Sequence, residues 1–328
     1  MNAIKKLIVF CLIVILITFT VKIIMIGLDM KSDEQTQITG SVPVSNKNFT
    51  PEVDPKILIN DDEKPIVIPK AKKVVPKPYI SAESYLVANL VTGEKYIDFN
   101  SNKVFPIASV SKLYTALVVH HLFDLNKGIV ITQSILDSYG DAGHLMLGEK
   151  FLPDELLNVL LLESSNDAAE AFSESYDIST TSKKFIEQMN GFAQEIGMNN
   201  THFSDPSGLS SLNVSNVDDL FVLAQYLNRS EKEILAISRT KEIDIATTTD
   251  HGSHHLVNIN PFSNYPSFIG GKTGRTNEAK EAMVSLFNQK VGNIEYPIAV
   301  IILRSNLGER EINTEKLLGM FMDKMIKK

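Results

Sequence analysis

The longest apolar run of the chain lies at its start. Leu7 to Val21 carries no charge, Lys22 interrupts, and apolar residues resume from Ile23 to Leu28. As a helix this stretch rises roughly 33 Å, enough for about 30 Å of bilayer hydrocarbon. Lys22 lies near the far end, from which a lysine snorkels to the headgroups. Lys5 and Lys6 precede the run, and Asp29, Asp33 and Glu34 follow it. Lysines before a span favour a cytoplasmic N-terminus with the remainder outside. A cleaved signal peptide needs small residues after its apolar stretch. No alanine occurs between Ala3 and Ala71. The pattern therefore predicts a retained single-pass anchor over residues 1–28, contacting lipid through residues 7–28, with the rest on the extracytoplasmic side of the cell membrane.

Periodicity then vanishes. Seven of the 13 prolines (Pro43, Pro51, Pro55, Pro65, Pro69, Pro76 and Pro78) fall within residues 29–78, among charges and Asn, Ser and Thr. This composition predicts an extended, semi-stiff linker. Patterning returns at residue 79. Ser84 to Leu90 is strand-like, Val91-Thr92-Gly93-Glu94 supplies a turn, and Lys95 to Phe99 alternates as a return strand. Helical spacing follows over Ser109–Phe123, Pro153–Leu162, Asp167–Tyr176, Ser182–Ile196 and Val217–Asn228. Ala282–Phe287 and Ile298–Leu303 read as strands, and Asn313–Lys328 as an amphipathic helix. Strands at both ends with helices between predict one sheet assembled from the two ends of a domain spanning 79–328. The inserted helical lobe covers roughly 136–240.

Composition narrows the partners. The chain has 328 residues, 44% hydrophobic and 22% charged, with a formal net charge of −7. Fibrous and wholly disordered classes are excluded, and nothing points to nucleic acid. The single cysteine, Cys11, lies within the apolar run, so neither an intrachain disulfide nor a Cys-based zinc site forms.

Chemistry enters through three short motifs in a fixed order. Ser109-Val110-Ser111-Lys112 is S-x-x-K, Ser164-Ser165-Asn166 is S-x-N, and Lys272-Thr273-Gly274 is K-T-G. The first two are weak alone, since Ser238–Lys241 and Ser211–Asn213 match them too; K-T-G occurs once. In order and in context they form the set of serine penicillin-binding proteins and class A β-lactamases. Positions three apart share one helix face, which brings the Lys112 amine beside the Ser109 hydroxyl. A hydroxyl becomes a nucleophile when a nearby base takes its proton. Lysine is such a base only when burial or another cation lowers its pKa, and Lys272 is a candidate for that cation. A solvated lysine on a polar helix start would explain S-x-x-K alone, but not its company.

Residues 80–328 resemble the low-molecular-mass penicillin-binding proteins, specifically the serine D-alanyl-D-alanine carboxypeptidases of peptidase family S11. The likeness extends beyond the triplets. It includes Ala88–Glu94, Pro106–Ala116, Leu160–Ala169, Thr201–Leu209, Asn258–Asn260 and Gly270–Thr276. The resemblance implies an α/β (α+β) fold of the β-lactamase/DD-peptidase type, a mainly antiparallel sheet flanked by helices plus an all-helical lobe. It implies Ser109 as the acylated nucleophile, Lys112 as general base, Ser164 as proton relay and Asn166 as an orienting group. Lys272 and Thr273 would bind the terminal carboxylate of the substrate, and Gly274 and Arg275 complete that strand. The N–H groups of Ser109 and Arg275 would form the oxyanion hole. The implied partners are a peptidoglycan stem peptide ending in D-Ala-D-Ala and, as covalent inhibitors, β-lactams, with no metal or organic cofactor. Two departures stand out: Ala279 is followed by Lys280 where the family has Ala-Gly, and Arg275 is unusual in its place.

Other readings have weaker support. A class A β-lactamase needs a glutamate after S-x-N, and Phe203–Leu212 contains none. A D,D-endopeptidase shares every motif. A non-catalytic peptidoglycan-binding relative is opposed by the intact triplets. His251, His254 and His255 form an H-x-x-H-H cluster in a stretch, Thr247–His255, that reads as a polar loop without an evident carboxylate partner. His120 and His121 read as packing or solvent-facing groups, and Asp167 and Glu170 as helix-start charges.

Overall fold

The computed structural model describes residues 78–137, 140, 142–179 and 184–327. The predicted anchor and all of the predicted linker except Pro78 lie outside them. Among the described residues no helix is long and apolar enough to cross a membrane.

The hairpin β1 (Ser84–Asn89) and β2 (Lys95–Phe99) comes first. Its turn forms because the Asn89 side chain accepts from the N–H groups of Val91 and Thr92, at 2.8 and 2.9 Å. Next come β3 (Phe105–Pro106), a 3-10 turn over Ala108–Val110, and α1 (Ser111–Leu122). The lobe follows as β4 (Ile129–Val130), α2 (Gln133–Leu136), β5 (Lys150–Phe151), α3 (Pro153–Leu162), α4 (Asn166–Ser179), α5 (Phe185–Glu195), β6 (Val214–Ser215), α6 (Val217–Ser230) and α7 (Lys232–Arg239). A small hairpin of β7 (Glu242–Ile245) and β8 (His254–Val257) leads to the meander β9 (Phe268–Thr276), β10 (Lys280–Val291) and β11 (Ile294–Ser305). Helix α8 (Arg310–Ile326) closes the domain.

The main sheet is five-stranded in the order β2-β1-β11-β10-β9, antiparallel at each of its pairings. It is therefore built from both ends of the domain, as the strand pattern predicts. Both faces are covered. Leu86, Ala88, Val284, Leu286 and Ile301 face the helical lobe, whereas Val87, Met283, Phe287 and Ile302 face Leu317 and Phe321 of α8. The period of two thus sorts alternate side chains into two cores, and burial on both sides keeps β11 apolar over Ile298–Leu303.

The structure refines several boundaries. Helix α3 matches the expected span, with Glu155 reaching back to the N–H of Leu152 at 2.8 Å. Ser109 does not cap a helix; it lies inside the 3-10 turn, one turn before α1. Helix α5 starts at Phe185, and residues 180–183 lie outside the described residues. Helix α7 and the strand register of β8 were not evident from patterning. His254 and His255 belong to β8 rather than to a loop, and Asn258 follows that strand.

Candidate active site

The K-T-G strand and the nucleophile turn meet because glycine allows it. Lys272 and Gly274 lie opposite Val284 and Ala282 on β10. The space that a Cβ on Gly274 would need is taken by the Ile107 carbonyl and the Val110 nitrogen. The sheet edge therefore packs directly on the turn that carries Ser109. Two non-glycine residues here adopt left-handed backbone, Ala108 at φ 50° and Ser164 at φ 62°. Such conformations cost of order 1–3 kcal/mol and persist where surrounding contacts impose them.

Three distant segments converge through hydrogen bonds. Lys112 Nζ lies 3.1 Å from Ser109 Oγ, 2.7 Å from Asn166 Oδ1 and 2.7 Å from the Ser207 carbonyl. Lys272 Nζ donates to Ser164 Oγ at 2.8 Å and to the Thr273 carbonyl at 3.2 Å. Lys112 and Lys272 are buried, at 0% and 1% exposure, whereas Ser109 and Ser164 are half-buried. Burial lowers the Lys112 pKa to about 7, against the opposing pull of the Asp205 carboxylate. Burial also holds Lys272 well below its ordinary value, with the charges of Lys112 and Arg310 adding to it. A neutral amine has two N–H donors and one lone pair. With its donors spent on Asn166 and Ser207, the Lys112 lone pair is left for the Ser109 hydroxyl.

Thr273 and Gly274 are buried on β9, and Arg275 is exposed. Ser109, Lys112 and Asn166 thus form one hydrogen-bonded set and Ser164 with Lys272 a second, joined through the segment Ser164–Asn166, with Thr273, Gly274 and Arg275 following on the strand of Lys272. Two further groups escaped sequence reasoning. Asp205 accepts from the N–H groups of Ser207, Gly208 and Ser210 at 2.7, 2.6 and 2.7 Å, which shapes the loop that presents the Ser207 carbonyl. Asp-Pro-Ser-Gly is a turn signature that marks this loop, although not its partner. Arg310, at the start of α8, donates to the Gly274 carbonyl at 3.4 Å and adds a permanent positive charge. Nothing local in sequence points to it.

The histidines of the H-x-x-H-H cluster resolve into contacts with carboxylates. Each histidine of the H-x-x-H-H cluster has a carboxylate partner, contrary to the sequence reading. His251 meets Glu155 at 3.3 Å, His254 meets Glu149 at 3.2 Å and His255 meets Asp244 at 2.7 Å. These partners come from other elements and are invisible locally. Lys280 departs from the family pattern at a residue with φ 53°, the conformation that favours the expected glycine. Its amine pairs with Glu83 at 3.1 Å, beside Arg304 at 3.0 Å.

A half-sheet, half-helical domain with a serine beside a buried lysine defines an acyl-transfer class of serine site. Residues 71–302 match the family described as D-alanyl-D-alanine carboxypeptidase, peptidase S11, and the chain belongs to that family. It is 31% identical over 245 residues to the D-alanyl-D-alanine carboxypeptidase DacF of Bacillus subtilis, covering 72% of this chain and 61% of that protein. It is 38% identical over 165 residues to a D-alanyl-D-alanine endopeptidase of Haemophilus influenzae, covering 48% of this chain and 55% of that protein. The match thus spans less than two thirds of either relative. The solved DD-transpeptidase of Streptomyces K15 superposes with a TM-score of 0.67 at 26% identity, covering 76% of this chain and 100% of that one.

Proposed function

We propose that the chain is a serine D-alanyl-D-alanine carboxypeptidase that removes the terminal D-Ala from peptidoglycan stem peptides. One observation carries the reading: the Ser109 hydroxyl lies 3.1 Å from a buried lysine amine whose pKa is about 7. Lys112 takes the hydroxyl proton as Ser109 Oγ attacks the carbonyl of the penultimate D-Ala. The oxyanion forms beside the 3-10 turn that leads into α1, facing the N–H groups of Ser109 and Arg275. Ser164, hydrogen-bonded to Lys272 at 2.8 Å, gives its hydroxyl proton to the leaving amine as the C–N bond breaks and takes back the proton that Lys112 had removed from Ser109, so that Ser164 is again a hydroxyl and Lys112 again neutral. Free D-alanine departs and an ester on Ser109 remains. Water then attacks that ester with Lys112 again as base, restoring the serine. Lys272, Thr273 and Arg310 hold the substrate carboxylate, whose charge favours protonation of Lys272 on binding. β-Lactams enter by the same attack and leave an acyl group on Ser109.

The full chain mixed with a pentapeptide stem ending in D-Ala-D-Ala tests this. Free D-alanine is expected by mass spectrometry, and none from Ser109→Ala. A second reading is a D,D-endopeptidase, favoured by the relatives of that name in Haemophilus influenzae and Escherichia coli. Cleavage of cross-linked dimers without D-alanine release selects it. For location, the apolar run 7–28 and its flanking lysines support a single-pass anchor in the cell membrane with the domain outside.

A further inference from the structure

Lys112 sits in the first turn of α1; the last turn of that helix carries a different cluster. His120 Nδ1 lies 2.7 Å from Glu231 Oε2, and both side chains are mostly enclosed, at 27% and 18% exposure. Glu231 sits at the break between α6 and α7, with φ −133° and ψ 54°. That break brings Glu233, on the first turn of α7, to the same place. One donor atom from each of His120, Glu231 and Glu233 lies within 4.8 Å of the others. Glu233 is exposed and makes no hydrogen bond or ion pair among the described residues. Two carboxylates beside the negative end of the α1 dipole form a local excess of negative charge. Of the cations nearest in sequence, Arg229 lies over the Tyr226 ring at 5.8 Å, and Lys232, exposed between the two glutamates, makes no ion pair with either among the described residues.

We propose that His120, Glu231 and Glu233 form a binding site for a divalent transition-metal ion, with Zn2+ the best match. One imidazole and two carboxylates suit zinc, whereas Mg2+ and Ca2+ prefer sets made of oxygen alone. Coordination at about 2.0–2.2 Å requires donor atoms about 3–4 Å apart. On binding, the His120–Glu231 pair would open from 2.7 Å and the exposed Glu233 side chain would swing inward. Solvent supplies the fourth ligand.

The site lies at the opposite end of α1 from Lys112 and would tie together two supports of the reaction centre. Helix α1 carries Lys112. Helix α7 holds the K-T-G strand, since Ser238 Oγ accepts from the Gly271 N–H at 3.1 Å, one residue before Lys272. A bound ion braces α1 against α7 and takes no part in the chemistry. The inference is independent of the peptidase reading, because its readout is binding.

Isothermal titration of the full chain with ZnCl2 tests it, alongside His120→Ala, Glu233→Gln and, as a control for the exposed histidine, His255→Ala. One saturable site is expected, weakened at least tenfold in the first two variants and unchanged in the third. The melting temperature should rise with Zn2+ in the unmodified chain and in His255→Ala only. Absence of saturable binding, or equal binding by Glu233→Gln, an exposed substitution that leaves the fold intact, would overturn the proposal. So would loss of binding in His255→Ala alone.

Discussion

Lys112 shows how one side chain ties stability to activity. Its ammonium form is penalised by burial, which places the pKa near 7 rather than at the ordinary 10.5. The folded chain therefore binds fewer protons than the unfolded chain between these values. Its cost, roughly 5 kcal/mol, applies in full below about pH 7 and fades as pH rises toward 10.5. The reactive form follows the same curve. Acylation by a fluorescent penicillin should fall about tenfold per pH unit below 7 and level off above it. A rate independent of pH between 5 and 8 would show that Lys112 is not the base. Lys280 offers a second test at this scale. Its left-handed backbone costs about 1–2 kcal/mol, and its half-exposed pair with Glu83 returns at most about 1 kcal/mol. Lys280→Gly loses the pair but relieves the strain; Lys280→Ala loses the pair and keeps the strain. The glycine variant should be more stable by about 1 kcal/mol in urea melts, and equal midpoints would refute the strain.

At the scale of elements, the loop after α5 matters as much as the helix it touches. Gly208 has φ 85°, and a Cβ there would overlap the Ala108 carbonyl, directly before the nucleophile. Thr115 donates to the Pro206 carbonyl at 2.6 Å, and Asn213 Nδ2 donates to Ser111 Oγ at 3.2 Å, so the loop is fastened to α1 on two sides. Gly208→Ala should displace the 3-10 turn and slow acylation by about 100-fold, in line with the cost of an ångström of misplacement. An unchanged acylation rate would mean that the turn is held without this loop. Local patterning located most helices and both ends of the sheet, since α3, α6, β10 and β11 have clear periods. It passed over α7 and β8, which are short and take their place from β9 and β7 rather than from their own sequence.

For the whole molecule, the two ends of the domain meet in one sheet, with β1 between β2 and β11. The N-terminal strand is therefore an interior strand of the sheet, paired on both sides. In the proposed arrangement a proline-rich linker separates the catalytic domain from the membrane anchor. Penicillin label should sediment with membranes for the full chain and appear in the soluble fraction once residues 1–28 are deleted. Soluble label from the full chain would remove the anchor from the proposal.

The legible part of this protein was whatever depends on neighbours along the chain. The hydrophobic period marked strands and helices, the i, i+3 spacing put Lys112 within reach of Ser109, and the three triplets named the chemistry. Burial and proximity are sums over residues far apart in order, and local pattern carries no record of them. Only the folded chain lowered the Lys112 pKa, brought Arg310 beside Gly274, aimed the Ser207 carbonyl at Lys112 and turned Ser164 and Lys280 into left-handed backbone. The carboxylates that meet His251 and His254 belong to the same category: contacts made by packing separate elements, where the shape of the core decides which groups become neighbours.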